Sequence, residues 1–381
     1  MSGRTGAKRR LVLIAAGGTG GHMFPAEAAA RALVARGHGV LLVTDKRGAQ
    51  HADKFEGAEV SVIAAGGIAG RGLAERAAAA LRLAVGFVEA RALIARKKPD
   101  AAFGFGGYAS LPTMAAALLA GVPAALHEQN AVLGRANRLL APRMRLFATA
   151  FETTRFMREA DRGRVVVTGS PVRAEIAAVG AMPYPASGER VRLLIIGGSQ
   201  GARVFGRVVP QAIAALPELL RKRIKIAQQA RPEDLDAVVA AYRSADVEAE
   251  VSPFFKDMAD RLAACHLLIA RAGASTCAEL TAAGRPAILV PYPHAIDDHQ
   301  TANAQAITRA GAAWVMPEGE FTPERLGRRL EELVSMPEAL LSAAKAARAA
   351  GRADAAERLA SVVERLLPAN GNNGAMREAA A

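Results

Sequence analysis

Residues 11–24 read Leu-Val-Leu-Ile-Ala-Ala-Gly-Gly-Thr-Gly-Gly-His-Met-Phe, and this stretch decides the fold. Leu11, Val12, Leu13 and Ile14 form an unbroken apolar run, as in a strand buried on both faces of a parallel sheet. Gly17, Gly18, Gly20 and Gly21 follow as a loop with almost no side-chain bulk. Pro25 suits a first helical turn, and an alanine-rich helix is expected to run to about Val34. Strand, glycine loop and helix N-terminus aim bare backbone N–H groups and a helix dipole at an anion, often a phosphate.

Three phosphate readings compete. A P-loop needs Lys-Ser or Lys-Thr after its last glycine; His22 and Met23 stand there instead. A dinucleotide fingerprint needs Gly-x-Gly-x-x-Gly. Gly18 and Gly20 fit it, Met23 takes the place of the third glycine, and Asp45 stands at a plausible ribose distance. The third reading is a nucleotide-sugar enzyme whose loop faces a cleft. A mere tight turn with packing glycines explains four glycines in five positions less well.

The chain outward from this stretch alternates strands and helices. Strands are expected at Val40–Thr44, Val60–Ala64, Ala101–Phe105, Val122–Leu126 and Arg164–Thr168, with a helix over 73–96. Gly180–Gly188 has the composition of a linker. The pattern then restarts with Arg192–Ile196 and a second glycine loop, Gly197-Gly-Ser-Gln-Gly201. Further strands are expected at Ile224–Gln228, Val247–Val251, His266–Ala270 and Ala287–Val290, and helices over 323–336 and 338–367. Two doubly wound parallel-sheet domains follow, residues 1–172 and 173–350, with a helix over about 351–367 packing back on the first. Residues 368–381 read as a disordered tail. Facing strand ends imply an interdomain cleft for a ligand.

At 381 residues, 51% hydrophobic and 4% aromatic, the chain has material for two cores packed on small residues. Cys265 and Cys277 give neither a disulfide framework nor a metal set, which fits a reducing compartment. No apolar stretch is long enough to span a bilayer. Lys8, Arg9 and Arg10 before an apolar run mimic a signal peptide, but the run ends in the glycine loop. The net charge of +13 is one-sided: residues 1–172 carry 24 Lys and Arg against 12 Asp and Glu, and residues 173–381 carry 25 against 24. A basic first half points to a polyanion, nucleic acid or an anionic membrane, or to a merely solvated basic surface.

In the second half, Arg271-Ala-Gly-Ala-Ser-Thr-Cys-Ala-Glu279 follows a strand. Ala274, Ser275 and Thr276 would open a helix able to hold a diphosphate, and Glu279 one turn on could accept both hydroxyls of a ribose. Alone, the arrangement also reads as a capped helix with an acidic first turn.

The ordered set of pieces is more specific. Gly17-Gly-Thr-Gly-Gly-His22, Gly104-Phe-Gly-Gly-Tyr108, His127-Glu-Gln-Asn130, Gly169-Ser-Pro-Val-Arg173, Gly197-Gly-Ser-Gln-Gly-Ala202, Arg271–Glu279 and Asp298-His-Gln-Thr-x-Asn-Ala304 cover most of residues 11–310. In that order they resemble the MurG family, bacterial transferases that add N-acetylglucosamine to lipid I in peptidoglycan synthesis. The resemblance implies a GT-B fold, a UDP-N-acetylglucosamine donor, and an undecaprenyl-diphosphate-linked N-acetylmuramoyl pentapeptide (lipid I) as acceptor. It implies ribose contact for Glu279, diphosphate contact for Ser275, Thr276 and Ser199, and sugar contact for Gln300 and Asn130. Arg173 would reach the nucleotide and Phe255 would give backbone contacts to uracil, although the family often has isoleucine there. Thr19, Gly20 and Gly21 would approach donor sugar and acceptor diphosphate, and Gly18, Gly106, Gly107 and Tyr108 would shape the acceptor side.

His22 could take the proton from the muramoyl 4-hydroxyl, since an imidazole suits base work near neutral pH. It could equally cap the helix or orient a neighbour, and Glu128, which the family shares, could handle the hydroxyl instead. His127 reads as packing or orienting. The expected chemistry is direct displacement with inversion, the leaving diphosphate being stabilised by N–H dipoles. Asp297 and Asp298 are adjacent, so their side chains diverge; no metal and no cofactor are expected.

A lipid-linked acceptor gives the charge asymmetry a place. Leu81, Leu83, Val85, Phe87 and Val88, with Arg71, Arg76, Arg82, Arg91, Arg96, Lys97 and Lys98, have the composition of an interfacial anchor. The expected location is peripheral, on the cytoplasmic face of the bacterial inner membrane, touching its anionic surface. Partners among other cell-wall synthesis and division proteins stay open, and nucleic acid is not expected because stacking aromatics and a groove-reading helix are missing. The rivals are a UDP-N-acetylglucosamine epimerase, a nucleic-acid-binding module and, more distantly, a nicotinamide oxidoreductase.

Overall fold

The computed structural model describes residues 9–18, 20–66, 72–186, 188, 190–198 and 201–367. Leu11–Ala15 forms the central strand β1. Its residues alternate between two cores, as the two-residue period of a strand requires. Val12 and Ile14 pack with Ala26, Ala29 and Leu33 of the helix Gly20–Ala35, while Leu13 and Ala15 pack with Leu93, Met114 and Ala117 on the other face. Burying a side chain of this size contributes about 1.5–3 kcal/mol, so this strand is a principal anchor of its unit.

The chain divides into two compact units. The first takes the described parts of Met1–Gln129, Leu133–Pro171 and Asp354–Ala381, the second those of Asn130–Val132 and Val172–Ala353. In the first, β1 is joined by β2 (Gly39–Thr44), β3 (Ala58–Val62), β4 (Ala101–Gly104), β5 (Ala124–Glu128), β6 (Leu146–Thr149) and β7 (Val165–Val167). All pairs are parallel, in the order β3-β2-β1-β4-β5-β6-β7. In the second, β8 (Val191–Ile196), β9 (Ile224–Gln229), β10 (Glu248–Ser252), β11 (Leu267–Ala270), β12 (Ala287–Leu289) and β13 (Ala313–Val315) run parallel in the order β10-β9-β8-β11-β12-β13. Each sheet therefore reverses its winding once, between β1 and β4 and between β8 and β11. Loops at the carboxyl ends of such a reversal are where open α/β sheets bind ligands.

Several sequence expectations need correction. β6 and β13 are strands that the sequence pattern does not mark. β5 begins two residues later than the apolar run suggests, because Pro123 cannot donate to the ladder and serves only as an acceptor, for Ala102 N–H. His127 and Glu128 consequently lie in the strand and not after it. β3 begins two residues earlier than expected. The first helix starts at Gly20, so Pro25 lies inside it and His22 stands in its first turn. The expected long helix over 338–367 is two, Pro337–Ala350 and Ala355–Glu364. The break falls at Gly351, where a Cβ would stand 2.4 Å from the Thr281 carbonyl oxygen. The helix Ala355–Glu364 lies on the first unit, with Leu359 and Val363 fully buried beside Val12 and Ile14. Arg36 ties it down through Glu357 and Glu364. The described residues of 180–188 lie within the second unit and are no free linker, since the Tyr184 hydroxyl donates to the His266 carbonyl at 2.6 Å. Residues 1–8 and 368–381 lie outside the described residues.

Candidate active site

In the first unit the loops after β1 and β4 meet at the winding reversal. A Cβ at Gly17 would stand 2.3 Å from that of Ala109, so only glycine lets the two loops close. Gly18 has φ +85, and its N–H is held by the buried carboxylate of Asp45 at 3.2 Å. Asp45 also accepts from Gly48 N at 2.8 Å. The residue that could have met a ribose is thus committed to its own loop, which removes the main support for the nicotinamide reading. Thr19 lies outside the described residues.

His22 stands over this junction. Its Nδ1 is 2.8 Å from the Phe105 carbonyl oxygen and 2.7 Å from the Gln129 side-chain amide. The ring lies against Gly106 and Gly107, whose φ values are +84 and +78; a Cβ on either would sit 3.3 Å from an imidazole carbon. Burial lowers the His22 pKa, and the two hydrogen bonds partly offset this. The imidazole is therefore neutral near pH 7, the form a base needs. Tyr108 is half-buried beside the same loop.

The end of β5 holds the next residues. His127 is fully buried, and its Nε2 donates to the Gly169 carbonyl at 3.3 Å. Burial first, and then the neighbouring His22, bring its pKa down to about 4, so it stays neutral. Glu128 is buried, and its Oε2 accepts from Gly134 N at 2.8 Å and Asn137 Nδ2 at 2.9 Å. This carboxylate anchors the loop that follows β5.

In the second unit Gly197 N–H donates to Gln229 Oε1 at 3.2 Å, and Gly198 and Gly201 have φ +80 and +68. Ser199 lies outside the described residues. After β11 the helix Ala274–Ala283 opens at Gly273 with no side-chain cap, leaving first-turn N–H groups of Ala274, Ser275 and Thr276 for a ligand. Ser275 is exposed, and Ala274 and Thr276 are half-buried. One turn on, Glu279 is largely enclosed; burial raises its pKa, and Arg173, with Nη2 3.7 Å away, pulls it down.

Gln300, in the first turn of the helix His299–Arg309, accepts the Tyr292 N–H at 3.0 Å. Just before it, Asp297 and Asp298 both have positive φ, a bend of the backbone that only some residues tolerate. The Phe255 ring is buried beneath the Arg261 guanidinium at 3.8 Å; Phe254 is the exposed neighbour.

Asn303, in the stretch Asp298–Ala304, has no role that the sequence pattern assigns. It is fully buried, donates from Nδ2 to Asn130 Oδ1 at 3.1 Å and to the Ala272 carbonyl at 3.0 Å, and accepts from Ala131 N at 2.7 Å. One amide thus fixes Asn130 beside the loop that opens the Glu279 helix. Spacing could not reveal this. Among the described residues, no group of three or more His, Cys, Asp and Glu side chains is placed to hold a metal ion.

Residues 12–149 match the N-terminal domain of glycosyltransferase family 28, and residues 192–359 match its C-terminal domain. Two similar proteins, from Paramagnetospirillum magneticum and Rhodospirillum centenum, are both 53% identical to the chain, over 364 residues (95% of this chain, 98% of the relative) and 354 residues (92% and 93%). Each is named UDP-N-acetylglucosamine–N-acetylmuramyl-(pentapeptide) pyrophosphoryl-undecaprenol N-acetylglucosamine transferase. The crystal structure of Acinetobacter baumannii MurG superposes with a TM-score of 0.78 at 30% identity, covering 93% of this chain and 99% of that one. A UDP-N-acetylglucosamine 2-epimerase from Neisseria meningitidis shares the fold, with a TM-score of 0.65 at 12% identity, covering 93% of this chain and 100% of that one.

Two parallel α/β units of this topology, together with the match to both domains of a transferase family, make the chain a glycosyltransferase of the GT-B class. More narrowly, the chain belongs to glycosyltransferase family 28 and, within it, to the MurG family.

Proposed function

We propose that the chain transfers N-acetylglucosamine from UDP-N-acetylglucosamine to the 4-hydroxyl of the N-acetylmuramoyl pentapeptide of undecaprenyl-linked lipid I, giving lipid II for peptidoglycan synthesis. Identity of 53% across nearly the full length of relatives named for this transfer carries the reading.

On this reading the second unit holds the donor. Glu279 accepts the two ribose hydroxyls, and Arg173 keeps its charge tolerable until they arrive. Ser275, Thr276, Ser199 and the uncapped amides at Ala274 meet the diphosphate, whose growing charge they stabilise without reorganising. Phe255 offers its backbone to uracil, and Gln300 and Asn130 contact the sugar. The first unit handles the acceptor through Gly18, Thr19, Gly20, Gly21, Gly106, Gly107 and Tyr108. His22 Nε2 takes the proton as the 4-hydroxyl attacks the anomeric carbon and UDP leaves from the opposite face. Its neutral, enclosed imidazole favours it as base over Glu128, whose Oε2 is already engaged by Gly134 and Asn137.

The same reading places the enzyme on the cytoplasmic face of the inner membrane. On the helix Leu73–Lys97, Leu81, Val85 and Val88 are 66%, 44% and 65% exposed, at helical spacing, among the exposed Arg76, Arg82 and Arg91. Leu83 and Phe87 are half-buried, and Arg71 lies outside the described residues. No described helix is long and apolar enough to cross a membrane, so an anionic surface would be met peripherally. Partners among cell-wall synthesis and division proteins belong to the same proposal.

The test is transfer of label from radiolabelled UDP-N-acetylglucosamine to purified lipid I. Butanol-extractable label with the wild-type chain, lost in Glu279→Ala, supports the reading; unextractable label with wild type removes it.

A further inference from the structure

We infer that Gln129 is a positioning residue: its side-chain carbonyl accepts from His22 Nδ1–H and so leaves His22 Nε2 as the bare nitrogen. The inference deepens the reading of His22 as the base and rests on it for its catalytic meaning.

Nδ1 has two close neighbours, the Phe105 carbonyl oxygen at 2.8 Å and the Gln129 amide at 2.7 Å. A backbone carbonyl can only accept. The backbone is held up to this point, since the Phe105 N–H continues the ladder to the Ala15 carbonyl at 2.8 Å. A bare Nδ1 would set two lone pairs against each other at that distance. Nδ1 must therefore carry the hydrogen, and a side-chain amide facing it must present oxygen.

Exchanging oxygen and nitrogen of a glutamine amide needs only a half-turn about its last bond. With nitrogen toward His22, Gln129 Oε1 is buried with no partner; the half-turn puts the amide nitrogen in the same place, so the choice is made on the His22 side. Oxygen toward His22 gives Nδ1–H two acceptors. Nε2, on the side of the ring nearer Gly107, has no hydrogen-bond partner among the described residues. A neutral imidazole held this way keeps its lone pair on one defined side. The titratable neighbour that senses His22 is His127 on β5, while Glu128 on the same strand is turned to Gly134 and Asn137.

The test uses the full chain labelled with ¹⁵N-histidine, His22 being assigned among the seven histidines by comparison with His22→Gln. In wild type, Nδ1 of His22 is expected to resonate as a protonated, pyrrole-type nitrogen and Nε2 as a bare, pyridine-type one. In Gln129→Ala the ring should become a mixture of tautomers, and kcat should fall about tenfold, the worth of one hydrogen bond, with KM for the donor unchanged. Gln129→Glu keeps the shape and puts a carboxylate on Nδ1–H, so the His22 titration and the acid limb of kcat/KM should both move up by about one pH unit.

A pyridine-type Nδ1 in wild type overturns the inference. So does an unchanged titration in Gln129→Glu, or a Gln129→Ala chain with wild-type spectrum and kcat. The ring spectra need no turnover, so loss of the transfer reading and loss of this one are told apart: a chain that transfers nothing but shows the pyrrole-type Nδ1 and the Gln129→Glu shift removes only the catalytic role.

Discussion

Arg173 Nη2 lies 3.7 Å from Glu279 Oε1, too far for a direct hydrogen bond yet close enough to steady a carboxylate that burial disfavours. The folded chain raises the Glu279 pKa, so this carboxylate detracts from stability above its unfolded pKa, and stability recovers as pH falls through the raised value. Glu279→Gln should therefore leave the melting temperature equal to or above that of wild type. With Glu279 as the proposed ribose acceptor, the substitution should also raise KM for UDP-N-acetylglucosamine by at least about tenfold. In wild type the same KM should rise as pH falls toward the Glu279 pKa, and in Glu279→Gln that dependence should vanish. Calorimetry and a KM–pH series check both.

Gly17 and Ala109 form a pair that tolerates one Cβ and not two. Gly17→Ala should cost about 1–3 kcal/mol, the usual result of overpacking, and should lower transfer by moving the loop that carries Gly18. In Gly17→Ala/Ala109→Gly the 2.3 Å overlap is gone, so the double variant should recover more stability than additivity allows. Urea denaturation of the four chains in this cycle gives the coupling.

Leu359, fully buried on the helix Ala355–Glu364, completes the core behind β1. Leu359→Ala should cost about 2–5 kcal/mol. Since Leu359 shares its core cluster with Val12 and Ile14, the loss should appear in the unfolding transition of the first unit. Hydrogen exchange at β1 and β4 should accelerate while exchange at β8 and β11 does not. Equal acceleration in both sheets would contradict the assignment of this helix to the first unit.

Replacing Leu81, Val85 and Val88 together by serine should change stability by less than about 0.5 kcal/mol per site, since all three are exposed. Co-sedimentation with liposomes containing anionic lipid should fall strongly, and the residual binding to neutral liposomes should disappear. Undiminished co-sedimentation would place the membrane contact elsewhere.

Much of this fold is legible in the sequence because its central strands are buried on both faces. Leu11–Ile14, Leu193–Ile196 and Ala287–Val290 are apolar without interruption, and the glycines mark where each strand hands over to a helix. The short outer strands are different. Leu146–Thr149 and Ala313–Val315 exist because β5 and β12 offer them an edge, and three or four residues carry too little pattern to announce that. The proposed donor residues can be picked out because Ser275, Thr276 and Glu279 share the start of one helix after a strand. The roles of Asp45, Gln129, Asn137 and Asn303 are set by partners up to 173 residues away in sequence, and local spacing holds no trace of such contacts. The adjacent Phe254 and Phe255 make the same point, since only tertiary packing decides which ring is covered.

The measurement that bears most directly on the central claim is mass analysis of the lipid product, with the anomeric proton read by NMR, after incubating the chain with UDP-N-acetylglucosamine and lipid I. The account predicts lipid I heavier by one N-acetylhexosamine residue, joined in the configuration opposite to that of the donor, with one UDP released per transfer. Unchanged lipid I accompanied by free sugar or by a 2-epimer of the donor would contradict it.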